Sequence, residues 1–132
     1  MCPISVLVAD DHAIVRKGLR YLLESEPDIV VVGEAPDGHE AIRLTQETAP
    51  DVLLLDISMP GKDGIEVIHE LCEGESYTRV LVLSGHNDPY FIQEALDLGA
   101  SGYLTKDEVP EVIVEAVRAV VKGEAGLVSI ET

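Results

Sequence analysis

The strongest constraint in this sequence is a strict alternation of short apolar segments with amphipathic segments, repeated five times. The apolar segments are rich in Val, Ile and Leu, which is typical of parallel strands that are covered on both faces. They are Ile4 to Ala9, Ile29 to Glu34, Val52 to Leu55, Arg79 to Ser84 and Gly102 to Thr105. Each is followed by a segment with helical periodicity. The alternation predicts an α/β fold with a parallel central sheet and helices on both sides.

Capping residues, glycines and prolines mark the helix boundaries. Asp37 and Glu40, three residues apart, resemble a capping box at the start of the second helix. The predicted helices run over His12 to Glu26, Asp37 to Thr48, Asp63 to Gly74, Asp88 to Gly99, and from after Asp107 to about Gly123. Five strand–helix pairs fit the order 2-1-3-4-5, so we expect a five-stranded three-layer (βα)5 sandwich. Residues 1–123 would form this domain, and residues 124–132 a tail or the start of a linker.

The charge of the chain argues against several functions. Nine basic and 25 acidic residues give a net charge of −16, and this negative field would repel nucleic-acid phosphates. We therefore do not expect the chain by itself to bind DNA. Because no apolar run reaches the roughly 20 residues of a membrane span and no secretion signal is evident, we expect a cytoplasmic protein without membrane association. Cys2 and Cys72 lie far apart and indicate neither a disulfide nor a zinc site.

Polar residues that can carry chemistry stand at the ends of the predicted strands. Asp10 and Asp11 follow strand one, Asp56 follows strand three, Ser84 ends strand four, and Lys106 follows strand five. Ligands of such sheets bind outside the carboxyl ends of the strands, so we expect these side chains to share one cleft. Three carboxylates about 5 Å apart would repel by roughly 3 kcal/mol per pair at an effective dielectric of 20. Either protons or a cation must therefore occupy the cleft.

A hard divalent cation is the simplest occupant of this cleft. Magnesium prefers carboxylate and water oxygens, and no cysteine stands among these residues. A cation and Lys106 beside Asp56 are the groups that stabilise the oxygens of a transferring phosphoryl group. Asp56 would then be the nucleophile that forms an aspartyl phosphate, with a hydrogen bond from Ser84 to one of its oxygens.

Longer motifs surround these residues. They are VADDH at 8–12, LDISMPG at 55–61 followed by DG at 63–64, Ser84, and GASGYLTK at 99–106. Over nearly the whole chain they resemble the response-regulator receiver domains of two-component signalling, which are also called CheY-like domains and have a flavodoxin-like fold. The first motif with Arg16 and Gly18, together with GYLTKD at 102–107, resembles the NarL/FixJ-type subfamily.

The resemblance implies roles for the residues at the strand ends. A sensor histidine kinase would phosphorylate Asp56, and Mg²⁺ would be held by Asp10, Asp11, Asp56 and the backbone carbonyl of Ser58. Lys106 would contact the phosphoryl group. The chain would thus be a phosphorylation-dependent switch rather than an enzyme, assisting only its own phosphoryl transfer and dephosphorylation.

The resemblance also implies how the signal leaves the domain. Ser84 and Tyr103 would form a switch pair that remodels the face made by helix four, strand five and helix five. Members of the subfamily carry a LuxR-like helix-turn-helix output domain, whereas only nine residues follow Gly123. The chain is either a fragment of a longer regulator or a protein that stands alone. We favour the fragment, which would control transcription and bind DNA only through a domain absent from this chain. The sequence leaves open whether phosphorylation causes the chain to form a homodimer.

Two other functions are compatible with the same fold. A magnesium-dependent phosphohydrolase would need a second Asp two residues after the nucleophile, where this chain has Ser58, and a cap domain for which the chain is short. A flavin or nucleotide binder would need a Gly- or Thr-rich loop after strand one, where Asp10 and Asp11 would repel a phosphate. The residues therefore favour the phosphoacceptor switch.

Overall fold

A computed structural model of the chain describes residues 3–56, 64–74, 77–84, 89–105, 110–123 and 127–128. Strands and helices alternate over these ranges. The strands are β1 (Ile4–Ala9), β2 (Ile29–Ala35), β3 (Val52–Asp56), β4 (Arg79–Ser84), β5 (Gly102–Thr105) and β6 (Leu127–Val128). The helices are α1 (Ala13–Glu24), α2 (Gly38–Thr48), α3 (Gly64–Glu73), α4 (Pro89–Asp97) and α5 (Pro110–Val121). None of these described helices has both the length and the apolar character that a membrane crossing requires.

The strands form one parallel sheet in the order β2-β1-β3-β4-β5-β6. The first five confirm the predicted order 2-1-3-4-5. The sixth strand is an addition that the sequence analysis did not predict, because it treated this segment as a tail. Leu127 and Val128 pair with Gly102 and Tyr103 at the β5 edge. Two residues are too few for a period-two pattern to be recognised in sequence.

Two apolar layers cover the two faces of the sheet. Successive side chains of a strand point to opposite faces. On one face, Leu7 and Leu53 pack in a layer with residues of α2, α3 and α4. On the other, Val8 and Leu54 pack in a layer with residues of α1 and α5. Because helices cover both faces, the sheet offers polar side chains a route to solvent mainly beyond the ends of its strands.

Some observed element bounds differ from the predicted ones. β2 continues to Ala35, and β3 continues through Asp56, which keeps its backbone pairing with β4. Strand pairing is made by the backbone, so a polar side chain does not have to end the strand. α1 is shorter than predicted at both ends. Ser25 closes its last turn by donating its Oγ hydroxyl to the carbonyl of Leu22 at 2.6 Å.

The start of α2 agrees with the N-cap half of the predicted capping box, while the Glu40 carboxylate accepts hydrogen bonds from Arg43. Asp37 is the N-cap, and its carboxylate accepts the backbone N–H of Glu40 at 2.9 Å. This bond satisfies one of the backbone donors that a helix leaves unpaired at its first turn. Three further predicted starting positions, Asp63, Asp88 and Asp107, lie outside the described residues.

Candidate functional site

The carboxyl ends of β1 and β3 bring two buried carboxylates side by side. These strands are parallel neighbours in which Ala9 is paired with Leu55. Asp10 and Asp56 each stand one position further along, and only 1% and 4% of their surfaces are exposed. The register of the two strands therefore joins residues that are far apart in the sequence.

Four groups that can bind a metal ion converge at this edge. Asp10, Asp11, His12 and Asp56 each offer one ligand atom, and these atoms all lie within 4.8 Å of one another. The side chains of Asp11 and His12 are 27% and 67% exposed. The cluster is thus buried where it adjoins the sheet, at Asp10 and Asp56, and open to solvent at Asp11 and His12. Such an arrangement can admit a cation from solution.

The start of α1 holds Asp10 in position. The backbone N–H of His12 donates to Asp10 Oδ1 at 2.9 Å. Arg16 Nη1 donates to the backbone carbonyl of Asp10 at 2.8 Å, and Arg16 Nε donates to Glu34 at 3.3 Å. In the sequence Arg16 is recognisable only as part of a motif, and its contact with Asp10 was not predicted. A basic residue in the first turn after a strand end is the signal that could have found it.

Asp11 has a carboxylate oxygen that is available to bind a cation. Its Oδ1 atom is buried and accepts no hydrogen bond within the described part of the chain. His12 Nδ1 lies 3.1 Å away, which is within ion-pair distance when the imidazole is protonated. Leaving a buried charged oxygen without a donor costs free energy, about 1–3 kcal/mol or more. Carboxylate oxygens are the ligands that Mg²⁺ prefers, so the residues fit a hard divalent cation.

The other predicted site residues are described only in part. Ser58 and Lys106 lie outside the described residues, so their roles stay predictions. Ser84 ends β4 and pairs with Thr105 of β5, but its side chain is not among those described. Tyr103 is fully buried in the layer that contains residues of α2, α3 and α4. The structure therefore brings together the aspartates, and Tyr103 lies inward one strand away from Ser84.

Thr105 is a feature that the sequence analysis did not single out for chemistry. It is the last residue of β5 and is buried. Its Oγ1 hydroxyl has no hydrogen-bond partner among the described residues. A threonine in a strand reads as an ordinary β-branched residue, so nothing in the sequence shows that its hydroxyl lacks a partner.

Comparison with known proteins gives a consistent result. The family model for the response regulator receiver domain matches residues 6–118. The transcriptional regulatory protein LiaR of Bacillus subtilis (strain 168) is 44% identical over 126 residues, which are 96% of this chain and 60% of that protein. Other curated relatives are covered over 52% to 58% of their length. The chain thus spans less than two thirds of the relatives that it matches.

Solved structures agree with the sequence comparison. The signal receiver domain solved for the NarL protein of Mycobacterium tuberculosis superposes with a TM-score of 0.91 at 41% identity, covering 93% of this chain and 99% of that one. The isolated REC domain of RcsB from Salmonella enterica serovar Typhimurium, solved with the phosphomimetic BeF3⁻, superposes with a TM-score of 0.87 at 32% identity. That superposition covers 96% of this chain and 94% of that one.

Proposed function

This chain belongs to the family of response regulator receiver domains, and from that premise we propose that Asp56 is its phosphoacceptor and a sensor histidine kinase its phosphoryl donor. The observation that carries the proposal is the convergence of Asp10, Asp11 and Asp56 within 4.8 Å at the carboxyl ends of β1 and β3. A two-component receiver acts as a switch because the added phosphoryl group changes the charge and the hydrogen bonding of one site.

The proposed transfer is a displacement at phosphorus. An Oδ atom of Asp56 forms the new bond to phosphorus, and the bond between phosphorus and the donor atom breaks, with its electron pair leaving on the donor. Mg²⁺, when bound, supplies positive charge to the oxygens of the transferring group. We assign its protein ligands to Asp10, Asp11, Asp56 and the backbone carbonyl of Ser58. Lys106 is proposed to contact the phosphoryl oxygens as a second positive charge.

The aspartates differ in a way that supports Asp56 as the acceptor. Asp10 Oδ1 already accepts the backbone N–H of His12, and the carbonyl of Asp10 is bound by Arg16. Asp10 is therefore held in a fixed orientation, which suits a metal ligand. Asp56 is the last residue of the central strand β3, with its backbone paired to β4. A nucleophile on a rigid strand is held at one distance from the incoming phosphorus, which favours transfer.

We further propose that phosphorylation reaches the face made by α4, β5 and α5 through Ser84 and Tyr103. A phosphoryl group adds about −1.5 to −2 charges and three acceptor oxygens, which can draw a nearby hydroxyl toward it. Tyr103 pairs with Val82 of β4 and with Val128 of β6. A change at Tyr103 would therefore reach the segment that follows α5. We propose that residues 1–123 are the receiver and that 124–132 begin the connection to an output domain.

Phosphorylation with a small donor tests the assignment. The whole chain is incubated with Mg²⁺ and acetyl phosphate, and intact mass spectrometry measures the added mass. We expect one phosphoryl group on the wild type and none on Asp56→Asn. Asp97→Asn is the matched control, because Asp97 is exposed on α4 and accepts a hydrogen bond from Gln93. Unchanged labelling of Asp56→Asn, or labelling that does not need Mg²⁺, would contradict the proposal.

A further inference from the structure

Thr105 lies at the end of β5, beside the two residues that we propose to form the switch pair. It pairs with Ser84 of β4 and stands two residues beyond Tyr103 on its own strand. Because alternate residues of a strand point to the same face, Thr105 belongs to the face on which Tyr103 packs with residues of α2, α3 and α4. Thr105 therefore shares a face with one switch residue and a register position with the other.

The Thr105 hydroxyl is a buried polar group without a visible partner. Only 3% of the residue is exposed, and Oγ1 makes no hydrogen bond within the described ranges. Leaving a buried hydroxyl unpaired costs free energy. Thr45 is buried to a similar degree and shows the usual arrangement, because its Oγ1 donates to the carbonyl of Ala41 at 2.7 Å. The unpaired hydroxyl at Thr105 points to a second conformation in which it is paired.

The register of β4 and β5 brings Ser84 within reach of this hydroxyl. Neighbouring strands of a sheet lie about 4.8 Å apart, and Ser84 is the direct partner of Thr105. Ser84 also stands two residues beyond Val82, which packs in the same layer as Tyr103. A serine that donates its proton to a phosphoryl oxygen keeps lone pairs that can accept another hydrogen bond. Thr105 can supply the donor for that bond from the adjacent strand.

We propose that Thr105 is a positioning residue that holds the Ser84 hydroxyl on the phosphoryl group of Asp56. In the phosphorylated chain, the Thr105 hydroxyl donates to Ser84 Oγ, and Ser84 donates to a phosphoryl oxygen. Successive hydrogen bonds polarise one another, so each strengthens the other. Because Thr105 gains a partner only in this conformation, it shifts the equilibrium toward it. The inference rests on the proposed function, since it takes Asp56 as the acceptor and Ser84 as the hydroxyl that moves.

The inference predicts opposite effects of one substitution on stability and on ligand binding. Thr105→Val keeps the branched side chain and removes the hydroxyl. Without a phosphoryl group it removes an unpaired polar group, so the variant should be more stable toward urea than the wild type. With a phosphoryl mimic bound it removes a hydrogen bond, so the mimic should bind less tightly. A threonine that served only packing would not separate the two measurements.

Beryllium fluoride is a suitable mimic, because the RcsB receiver domain was solved with it as a phosphomimetic. The whole isotope-labelled chain is titrated with beryllium fluoride at saturating Mg²⁺, and amide NMR shifts give the dissociation constant. The variants are Thr105→Val, Thr105→Ser, Ser84→Ala, and Thr105→Val combined with Ser84→Ala. Thr45→Val is the matched control, since it removes a buried threonine hydroxyl on α2. Asp56→Asn tests the proposed acceptor, and urea unfolding without the mimic measures stability.

We expect Thr105→Val to weaken the binding of beryllium fluoride by about threefold to tenfold, which is the effect of one hydrogen bond. Thr105→Ser keeps a hydroxyl and should bind within about twofold of the wild type. In the Ser84→Ala background, Thr105→Val should cause no further loss, because the two hydroxyls act as a unit. Thr45→Val should lower stability without changing the affinity.

Three results would overturn the inference and leave the proposed function standing. The first is equal affinity in the wild type and Thr105→Val. The second is an equal loss with and without Ser84→Ala, which would mean that Thr105 acts independently of Ser84. The third is a lower stability of Thr105→Val without the mimic, which would mean that the hydroxyl is already paired. If the wild type does not bind the mimic, or Asp56→Asn binds it equally well, then the proposed function fails with the inference.

Discussion

Glu34 and the aspartate cluster both adjoin α1, and the fold treats these carboxylates in opposite ways. Glu34 on β2 accepts hydrogen bonds from Arg20 at 3.0 Å, Lys17 at 3.2 Å and Arg16 at 3.3 Å. At the carboxyl end of the sheet, Asp11 stands with two other aspartates, and its buried Oδ1 accepts no hydrogen bond within the described residues. Glu34 is neutralised by basic residues of α1, whereas Asp11 keeps a buried oxygen that has no hydrogen-bond donor among the described residues.

The difference separates a carboxylate that stabilises the fold from carboxylates that we propose to bind a cation. Burial would by itself raise the pKa of Glu34, but the hydrogen bonds from Arg20, Lys17 and Arg16 together hold its pKa below the ordinary value. Its charged form therefore stabilises the fold. The aspartate cluster gathers like charges, and a bound cation would supply the compensation. Arg16 connects the two regions, because it binds both Glu34 and the carbonyl of Asp10.

The largest effect should come from Asp11→Asn. We expect Mg²⁺ affinity to fall by about tenfold or more, since a carboxylate ligand is lost. In chelator, the variant should be more stable than the wild type, because one of the repelling charges is gone. Urea unfolding with and without Mg²⁺ measures both quantities. The proposed difference between Asp11 and Glu34 would be contradicted if the variant were less stable than the wild type in chelator and gained as much stability from Mg²⁺ as the wild type does.

The opposite behaviour is expected for Glu34→Gln. Three basic side chains bind the Glu34 carboxylate, so removing its charge should lower the free energy of unfolding by about 1–3 kcal/mol. We expect a value near the lower end of this range because Lys17 and Arg20 are partly exposed. Mg²⁺ affinity should stay within about twofold of the wild type, because Glu34 lies outside the aspartate cluster. Denaturant titrations in chelator give the stability. Glu47→Gln, which removes an exposed partner of Arg43, is the control and should have a much smaller effect.

A smaller contrast is available between two buried threonines. Thr105 Oγ1 has no partner among the described residues, whereas Thr45 Oγ1 donates to the carbonyl of Ala41 at 2.7 Å. Replacement of Thr105 by Val should raise the free energy of unfolding by about 1 kcal/mol, and Thr45→Val should lower it by a similar amount. If both substitutions destabilise equally, then the Thr105 hydroxyl has a partner in solution.

The smallest effect expected is the pH dependence of the Glu34 contribution. A carboxylate whose pKa is lowered by folding contributes its full stability above the unfolded value, here 4.5, and loses it as the pH falls through the folded value. The difference in stability between wild type and Glu34→Gln should therefore be constant near neutral pH and shrink below pH 4.5. Urea titrations over this range measure it. A difference that grows on acidification would reverse the sign of the proposed linkage.

Much of the architecture could be predicted from local pattern. Three of the five predicted strands, at Ile4–Ala9, Arg79–Ser84 and Gly102–Thr105, have the observed bounds. Their apolar runs are long enough to reveal burial on both faces. The β6 pairing was missed because two residues carry no such pattern. The predicted third strand ended at Leu55, where the apolar run stops, whereas the backbone of Asp56 continues the pairing with β4.

The composition of the candidate site and the convergence of its three aspartates could be predicted from the sequence. The aspartates stood out because each lies at a predicted strand end. The contact of Arg16 with the Asp10 carbonyl was not evident, nor was the lack of a partner for the Thr105 hydroxyl among the described residues, because each depends on side-chain direction in the packed protein. The roles of Ser58, Ser84 and Lys106 stay predictions from the family resemblance.

By itself, the sequence determined the three-layer fold and the strand order, because two-faced burial demands apolar strands alternating with one-sided helices. Only the tertiary structure decided the contacts and distances among the polar groups. The approach of Asp10 to Asp56 requires the register of β1 on β3, and the contact of Arg16 with Glu34 requires the packing of α1 against β2. These are long-range relations set by packing, and local propensity contains no information about them.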